Sequence, residues 1–163
     1  MPARAFSIRC ITRRGKFRRQ SARAVIPTVL AQAFKGAKEI ELGNLAPQRD
    51  LTFVTDTARA FVLAVTASGI EGETIHFGQG SAISVLELAE LCVQAAGRTA
   101  RVVSVEQRSR PEKSEVGLLL SDSSKAKKLL GWSPEVTLLD GLRATAEYVR
   151  AHLNHYDAGG YIV

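Results

Sequence analysis

The sequence predicts an α/β domain, on three observations. Short apolar runs of strand length, such as residues 39–42 and 74–77, alternate with amphipathic runs of helical period. Start and stop signals for helices fall at the joins: Pro27 in a first turn, Gly36 and Gly97 as stops, and Ser84-Val85-Leu86-Glu87 as a capping box. At 163 residues and 45% apolar composition, the chain has room for one real hydrophobic core.

Taken in order, the chain opens on an Arg-rich, acid-free stretch, residues 1–18, with no sustained period of 2 or 3.6, so nothing in it specifies a packed element. It reads as a basic arm for RNA, DNA or anionic lipid, as an organellar transit segment, or as non-native sequence ahead of the domain. A helix of about ten residues follows between Ser21 and Gly36, with Leu30 and Phe34 four apart. Residues 39–42 and 51–54 are expected as strands bracketing a loop. Thr55 or Asp56 is expected to cap the next helix, which runs to about Ala67 with Ala60, Phe61, Val62 and Leu63 on its buried side.

Residues 69–73 form a turn before the strand 74–77, which leads into Gly78-Gln79-Gly80. A strand followed by Gly-x-Gly invites a dinucleotide-binding reading. The third glycine of that fingerprint would be residue 83, which is Ile83, and the capping box delays the helix by four residues, so no cofactor loop is expected here. The helix at residues 85–96 puts Leu88, Leu91, Cys92 and Ala95 on one face. A strand at 101–105 precedes the charge-dense segment 108–116, and residues 118–120, a cap at Asp122 or Ser123 and a short helix through Leu130 come next. Trp132, in Gly131-Trp132-Ser133-Pro134, is expected to be a packing anchor. The last helix covers residues 138–153 with Leu139, Leu142, Ala146, Val149 and Leu153 on one face, and the Gly-containing tail 157–163 is expected to fray.

Charge and cysteine usage exclude several functions. The net charge is +6, but residues 1–24 hold seven Arg and one Lys with no acid, so the other 139 residues carry 14 bases against 16 acids. A slightly acidic body is not the basic stripe that tracks a nucleic-acid backbone, and no nucleic-acid partner is expected. Cys10 and Cys92 lie far apart, as expected of free thiols in a reducing cytoplasm, and neither has a Cys or His at zinc-ligand spacing. His152 and His155 are three apart with only Asp157 as a further candidate ligand, so no metal site is expected. The longest apolar runs, residues 60–65 and 116–120, fall far short of the ~20 that a membrane-crossing helix needs.

The stretch with most chemistry in it is Leu42-Gly43-Asn44-Leu45-Ala46-Pro47-Gln48-Arg49-Asp50. Gly43, Asn44 and Pro47 let the loop bend sharply and bring backbone N–H groups towards a ligand, and Arg49 stands at its exit. A forked guanidinium on a rigid strand can match two phosphate oxygens at once. An ion pair between Arg49 and Asp50 or Asp56 is the alternative.

The run from Leu42 to Ala64, with its Gly-Asn-Leu-x-x-x-Arg-Asp pattern and the later Val-x-Asp, resembles the second half of the extended short-chain dehydrogenase/reductases that act on nucleotide sugars, above all their 4,6-dehydratases. A second stretch, Arg110-Pro111 through Glu115-Val116 and on to Asp122-Ser123-Ser124-Lys125-Ala126 and Leu130-Gly131-Trp132-Ser133-Pro134, is similar to the same group. The resemblance begins at Arg19-Gln20 and runs to about residue 150. It implies that Arg49 and Arg110 bind the substrate diphosphate and that Glu115 bonds the ribose hydroxyls. It also implies that Asn44 belongs to the substrate loop and that Val25, Ile26 and Pro27 wall the base pocket.

Two parts that the family's chemistry requires are missing from the sequence. No Gly-rich loop for the cofactor pyrophosphate is found. No Tyr-x-x-x-Lys is found either: Tyr148 is followed four on by His152, Tyr156 by Gly160, and Tyr161 by nothing. The expected architecture is therefore the C-terminal, substrate-binding part of an extended Rossmann-type enzyme without its N-terminal dinucleotide-binding half. Residues 1–18 are its head, 19–156 its nucleotide-sugar-binding domain and 157–163 its tail.

The expected function is to grip the nucleoside diphosphate of a UDP- or GDP-sugar, with NAD or NADP bound only in the complete enzyme and no catalysis by this chain alone. In the complete enzymes a hydride passes from the sugar to the cofactor and back. A separate Rossmann half or a second copy is a possible partner, since the strand at 74–77 would otherwise expose an unpaired edge. The alternatives are a non-catalytic nucleotide-sugar-binding or sheet-completing module and, last, a basic-arm nucleic-acid binder.

Overall fold

The structure, a computed structural model, describes residues 7–9, 24–106 and 116–156. The expected alternation is present. In chain order the elements are β1 (Ser7–Arg9), α1 (Val25–Phe34), β2 (Glu39–Leu42), β3 (Gln48–Arg49), α2 (Val54–Thr66), β4 (Thr74–His76), β5 (Ile83–Ser84), α3 (Val85–Ala95), β6 (Arg101–Ser104), β7 (Leu118–Leu119), α4 (Ser124–Leu130) and α5 (Leu138–Ala151), with a 3-10 turn at Leu153–Tyr156.

The strands form three small sheets. β1 pairs parallel with β4, β2 pairs parallel with β6 over Glu39–Leu42, and β3 lies between antiparallel β5 and parallel β7. Two apolar clusters hold them. The larger joins α1, α3 and α5 to β2 through Val29, Leu30, Ile40, Leu88, Cys92 and Leu142. Cys92 is fully buried there, and the loss of water pushes its thiol up to about 12. The smaller cluster gathers Ala60, Ile70, Ile75, Phe77 and Ala126 around Trp132.

Trp132 is the packing anchor its motif suggested: it is fully buried, meets Phe77 edge-on at 5.0 Å and donates its indole N–H to the Asp56 carbonyl at 3.0 Å. Gly131, at φ 61, ends α4 in the left-handed region and turns the chain so that the indole enters this cluster.

Four expectations need correction. Residues 51–54 are not a strand. The paired residues of β3 are Gln48 and Arg49, the Asp50 amide makes a last bond to the Leu119 carbonyl at 2.8 Å, and α2 begins at Val54. Neither Thr55 nor Asp56 caps α2: Phe53 occupies the cap position without a side-chain bond, and Asp56 lies inside the first turn, 2% exposed.

The buried side of α2 is Ala60 and Ala64, whereas Phe61 and Val62 are 47% and 62% exposed. Of the four residues expected on the buried side, Ala60 is buried and Leu63 packs against the smaller cluster, whereas Phe61 and Val62 face outward, because a helix apolar on two sides gives periodicity no way to choose between them. Finally, residues 1–18 do contain a packed element, β1, whose partner lies 67 residues on in register Ser7↔Thr74. A three-residue strand in an Arg-rich run has no local signature. It also supplies one of the neighbours that β4 was expected to lack.

Candidate functional site

The loop from Leu42 to Arg49 is clipped down on both sides. The Ser104 hydroxyl donates to the Gly43 carbonyl at 2.9 Å, and the amides of Val85 and Leu86, at the start of α3, donate to the carbonyls of Pro47 and Leu45 at 2.9 and 3.1 Å. Asn44 makes the local turn that its type favours, its Oδ1 accepting from the Ala46 amide at 3.0 Å, and it is exposed. Pro47 is buried. The loop is thus held by bonds to two other elements, and its exit residue, Arg49, projects from a fixed base.

Arg49 is partly exposed, and its Nη1 donates to the carbonyls of Gln48 at 2.8 Å and Val116 at 2.7 Å. The ion-pair alternative falls away, because both candidate carboxylates are committed elsewhere. Asp50 accepts from three backbone amides, Gln79 at 2.8 Å, Gly80 at 3.0 Å and Ser121 at 3.3 Å. Asp56 accepts from the amides of Glu135 and Val136 at 3.1 and 3.0 Å and from Arg59 at 3.2 Å.

The bond to Val116 brings the Arg49 guanidinium to the residue that follows Glu115. Arg110 and Glu115 themselves lie outside the described residues. Of the other expected site residues, Pro27 is fully buried, and Val25 and Ile26 are half-buried against the larger apolar cluster.

Two surface clefts lie elsewhere. One of about 680 Å³ is lined by Leu51, Gln79, Ile83, Glu87, Leu91 and Leu138, and one of about 410 Å³ by residues that include Gly78, Ser121, Lys127 and Trp132. Of the expected site residues, the five among the described ones, Val25, Ile26, Pro27, Asn44 and Arg49, line neither cleft.

The Gly78-Gln79-Gly80 turn does not fit a cofactor pyrophosphate. The amides of Gln79 and Gly80, which a phosphate would need, are occupied by the Asp50 carboxylate, and the Gly78 amide donates to the Ser123 hydroxyl at 3.0 Å. The two described tyrosines fit an acid–base role no better. Tyr148 stacks on His152 at 4.3 Å, and burial pushes the Tyr156 phenol up, away from the range in which it would give or take a proton near neutrality. Among the described residues no group of three or more His, Cys, Asp or Glu could hold a metal ion. No helix among them is long and apolar enough to cross a membrane.

Sequence reasoning missed the two buried carboxylates. Their one local signal is an acid inside an otherwise apolar run, Asp50-Leu51-Thr52-Phe53-Val54-Thr55-Asp56, which calls for buried donors to satisfy it.

Comparison with known proteins adds three findings. A family model described as GDP-mannose 4,6 dehydratase matches residues 2–145. The match therefore reaches into the first 18 residues, where the resemblance had been placed from Arg19 onward, and it takes in β1. The chain is similar to a UDP-glucuronate 4-epimerase of Thermodesulfobacterium geofontis, 30% identical over 68% of this chain, and to a dTDP-glucose 4,6-dehydratase of an Actinoplanes species, 31% identical over 82%. It spans 33% and 41% of the length of these two relatives. It superposes with TM-score 0.72 and 26% identity on a UDP-glucuronic acid 4-epimerase from Bacillus cereus solved with UDP-glucuronic acid and NAD, covering 90% of this chain and 44% of that one. The fold, the motifs around Arg49 and Trp132 and these matches agree, and the chain belongs to the family of nucleotide-sugar epimerases and 4,6-dehydratases within the extended short-chain dehydrogenase/reductases.

Proposed function

We propose that this chain is the nucleotide-sugar-binding part of an NAD(P)-dependent epimerase or 4,6-dehydratase and that it grips the nucleoside diphosphate of a UDP- or GDP-sugar through Arg49. The observation that carries this reading is the setting of Arg49: a partly exposed guanidinium on a clipped strand, bonded to the carbonyl of the residue after Glu115. Arg110 is the second diphosphate contact in this reading, Glu115 bonds the ribose, and Asn44 shapes the loop. Val25 and Ile26, with Pro27 behind them, border the base. A grip of this kind aligns the sugar for reaction with groups that this chain does not supply.

The chemistry then needs an NAD- or NADP-binding part, because the amides of the 79–80 turn are taken by Asp50 and the sequence offers no Tyr-x-x-x-Lys. The outer face of α2, where Phe61, Val62 and Val65 are exposed, and the small parallel sheet β1–β4 are the surfaces proposed to receive it. Parallel sheets are normally covered on both faces, and an isolated pair of strands has little stability of its own. The same surfaces support a second reading, a sheet-completing module without catalysis. Either role is assigned to the cytoplasm, without nucleic-acid or membrane partners.

Calorimetric titration of the purified chain with UDP- and GDP-sugars tests the proposal. Saturable binding that weakens by ~1.5–3 kcal/mol in Arg49→Ala is expected, the range for a hydrogen bond to a charged group. Binding left unchanged by that substitution overturns the assignment of Arg49.

A further inference from the structure

Asp50 is fully buried, and among the described residues the groups that meet its negative charge are backbone N–H groups. Oδ1 takes the Gln79 amide at 2.8 Å, and Oδ2 takes Gly80 at 3.0 Å and Ser121 at 3.3 Å. The three donors come from two loops, 29, 30 and 71 residues away in sequence. Room for the carboxylate exists because residue 78 is glycine: a Cβ there would overlap the Ser121 Cβ and come to 2.5 Å of Oδ2.

This buried charge stands next to Arg49, on a strand only two residues long. Besides its register pairs with β7 and its antiparallel pairing with β5, β3 is tied to the chain around β7 by Gln48 N–H to the Gly117 carbonyl at 2.7 Å and Asp50 N–H to the Leu119 carbonyl at 2.8 Å. A strand of two paired residues relies on what flanks it to hold the backbone from which Arg49 projects. Successive side chains on an extended chain point to opposite sides, and here the inward one is Asp50 and the outward one Arg49. Anchoring the inward side chain to two loops fixes the backbone from which the outward one projects.

We infer that Asp50 is a positioning residue: by binding the 79–80 turn and Ser121 it sets the place of Arg49, and with it the geometry of the diphosphate grip. This rests on the reading of Arg49 given above. Asp50→Asn is the informative change, since it keeps the shape and replaces one acceptor oxygen by an NH₂ group, which faces an amide donor and leaves it unmatched.

The first experiment is an NMR comparison of the two proteins without ligand. The amides of Gln79, Gly80 and Ser121 are expected to lose hydrogen-exchange protection in Asp50→Asn, and the Arg49 Nε–Hε resonance to shift or broaden with them. Opened amides beside an unaltered Arg49 resonance overturn the inference whatever the ligand result. If Asp50→Asn does not fold, native-state exchange on the unaltered protein decides: Arg49 Nε–H and the three amides must open in one step, and separate openings overturn the inference.

The second experiment is a UDP titration of Asp50→Asn, Arg49→Ala and the double variant. Each single change is expected to weaken binding roughly 10–150-fold, the loss for one charge-assisted hydrogen bond, and the double change no more than the larger of the two. Losses that multiply in the double variant overturn the positioning role while leaving Arg49 as a ligand residue. Affinity that Arg49→Ala leaves untouched overturns the binding-site reading instead.

Discussion

Gly78 is the residue that the buried carboxylate makes indispensable. Its backbone needs no left-handed angle, so the constraint is space alone, and the atoms that a Cβ would meet, Ser121 Cβ and Asp50 Oδ2, belong to short side chains in a closed network. Gly78→Ala should therefore lower stability by about 1–3 kcal/mol, as overpacking does. Gly117→Ala, where nothing lies within 4 Å, should stay within ~0.5 kcal/mol of the parent. Urea unfolding of the two variants checks this, and equal midpoints would mean that the turn moves away from Asp50 at little cost. At this scale the sequence was half legible. Arg49, Trp132 and the turn-forming Asn44 announce themselves by residue type and motif. Asp50 and Asp56 do not, because their partners are backbone N–H groups in distant loops, and a main-chain donor has no letter in the sequence.

Among the elements, the helices that begin on a hydroxyl residue were read most closely. Ser84 and Glu87 form the full capping box ahead of α3: the Glu87 amide donates to Ser84 Oγ at 3.2 Å and the Ser84 amide to Glu87 Oε2 at 3.0 Å. The Ser84 hydroxyl, and after it the Ser84 amide, hold the Glu87 carboxyl below its ordinary value. The Ser124 amide does the same for Asp122 at the start of α4, and the Thr137 hydroxyl for Asp140 at the start of α5. Depressed carboxyl groups contribute stability above their unfolded values and lose it as the pH falls through the folded ones, so these three helix starts should weaken below about pH 4. Ser84→Ala should cost ~1 kcal/mol at pH 7, and the gap to the parent should narrow on the way to pH 3. Urea midpoints across that range measure it, and a gap independent of pH would remove Glu87 from the cap's energetics. The start of α2 was misread for the converse reason: its cap position is Phe53, and the acid that looked like a cap is spent on a loop 79 and 80 residues away.

The whole molecule has an apolar side that the described residues do not cover. Ala58, Phe61, Val62 and Val65 fall at the spacing of one helical stripe, all exposed, while Ala60 and Ala64 on the other side of α2 are buried. A helix apolar on two sides belongs between two layers, and one of those layers is the cluster around Trp132. If the outer stripe awaits a dinucleotide-binding part, the isolated chain gains nothing from it. Phe61→Lys and Val65→Lys should then leave the unfolding midpoint within ~0.5 kcal/mol of the parent, as surface substitutions do, and lower the fluorescence of a bound apolar dye. Ala64→Lys, at 2% exposure, puts an unpaired charge into the packed side and should unfold the chain or cost several kcal/mol. The contrast between the two sides is what matters: a Phe61→Lys loss as large as that of Ala64→Lys would mean that the chain covers its own stripe, and the proposed docking surface would be withdrawn. A stripe that tolerates lysine while the opposite side does not would leave the outer side of α2 available to a partner layer.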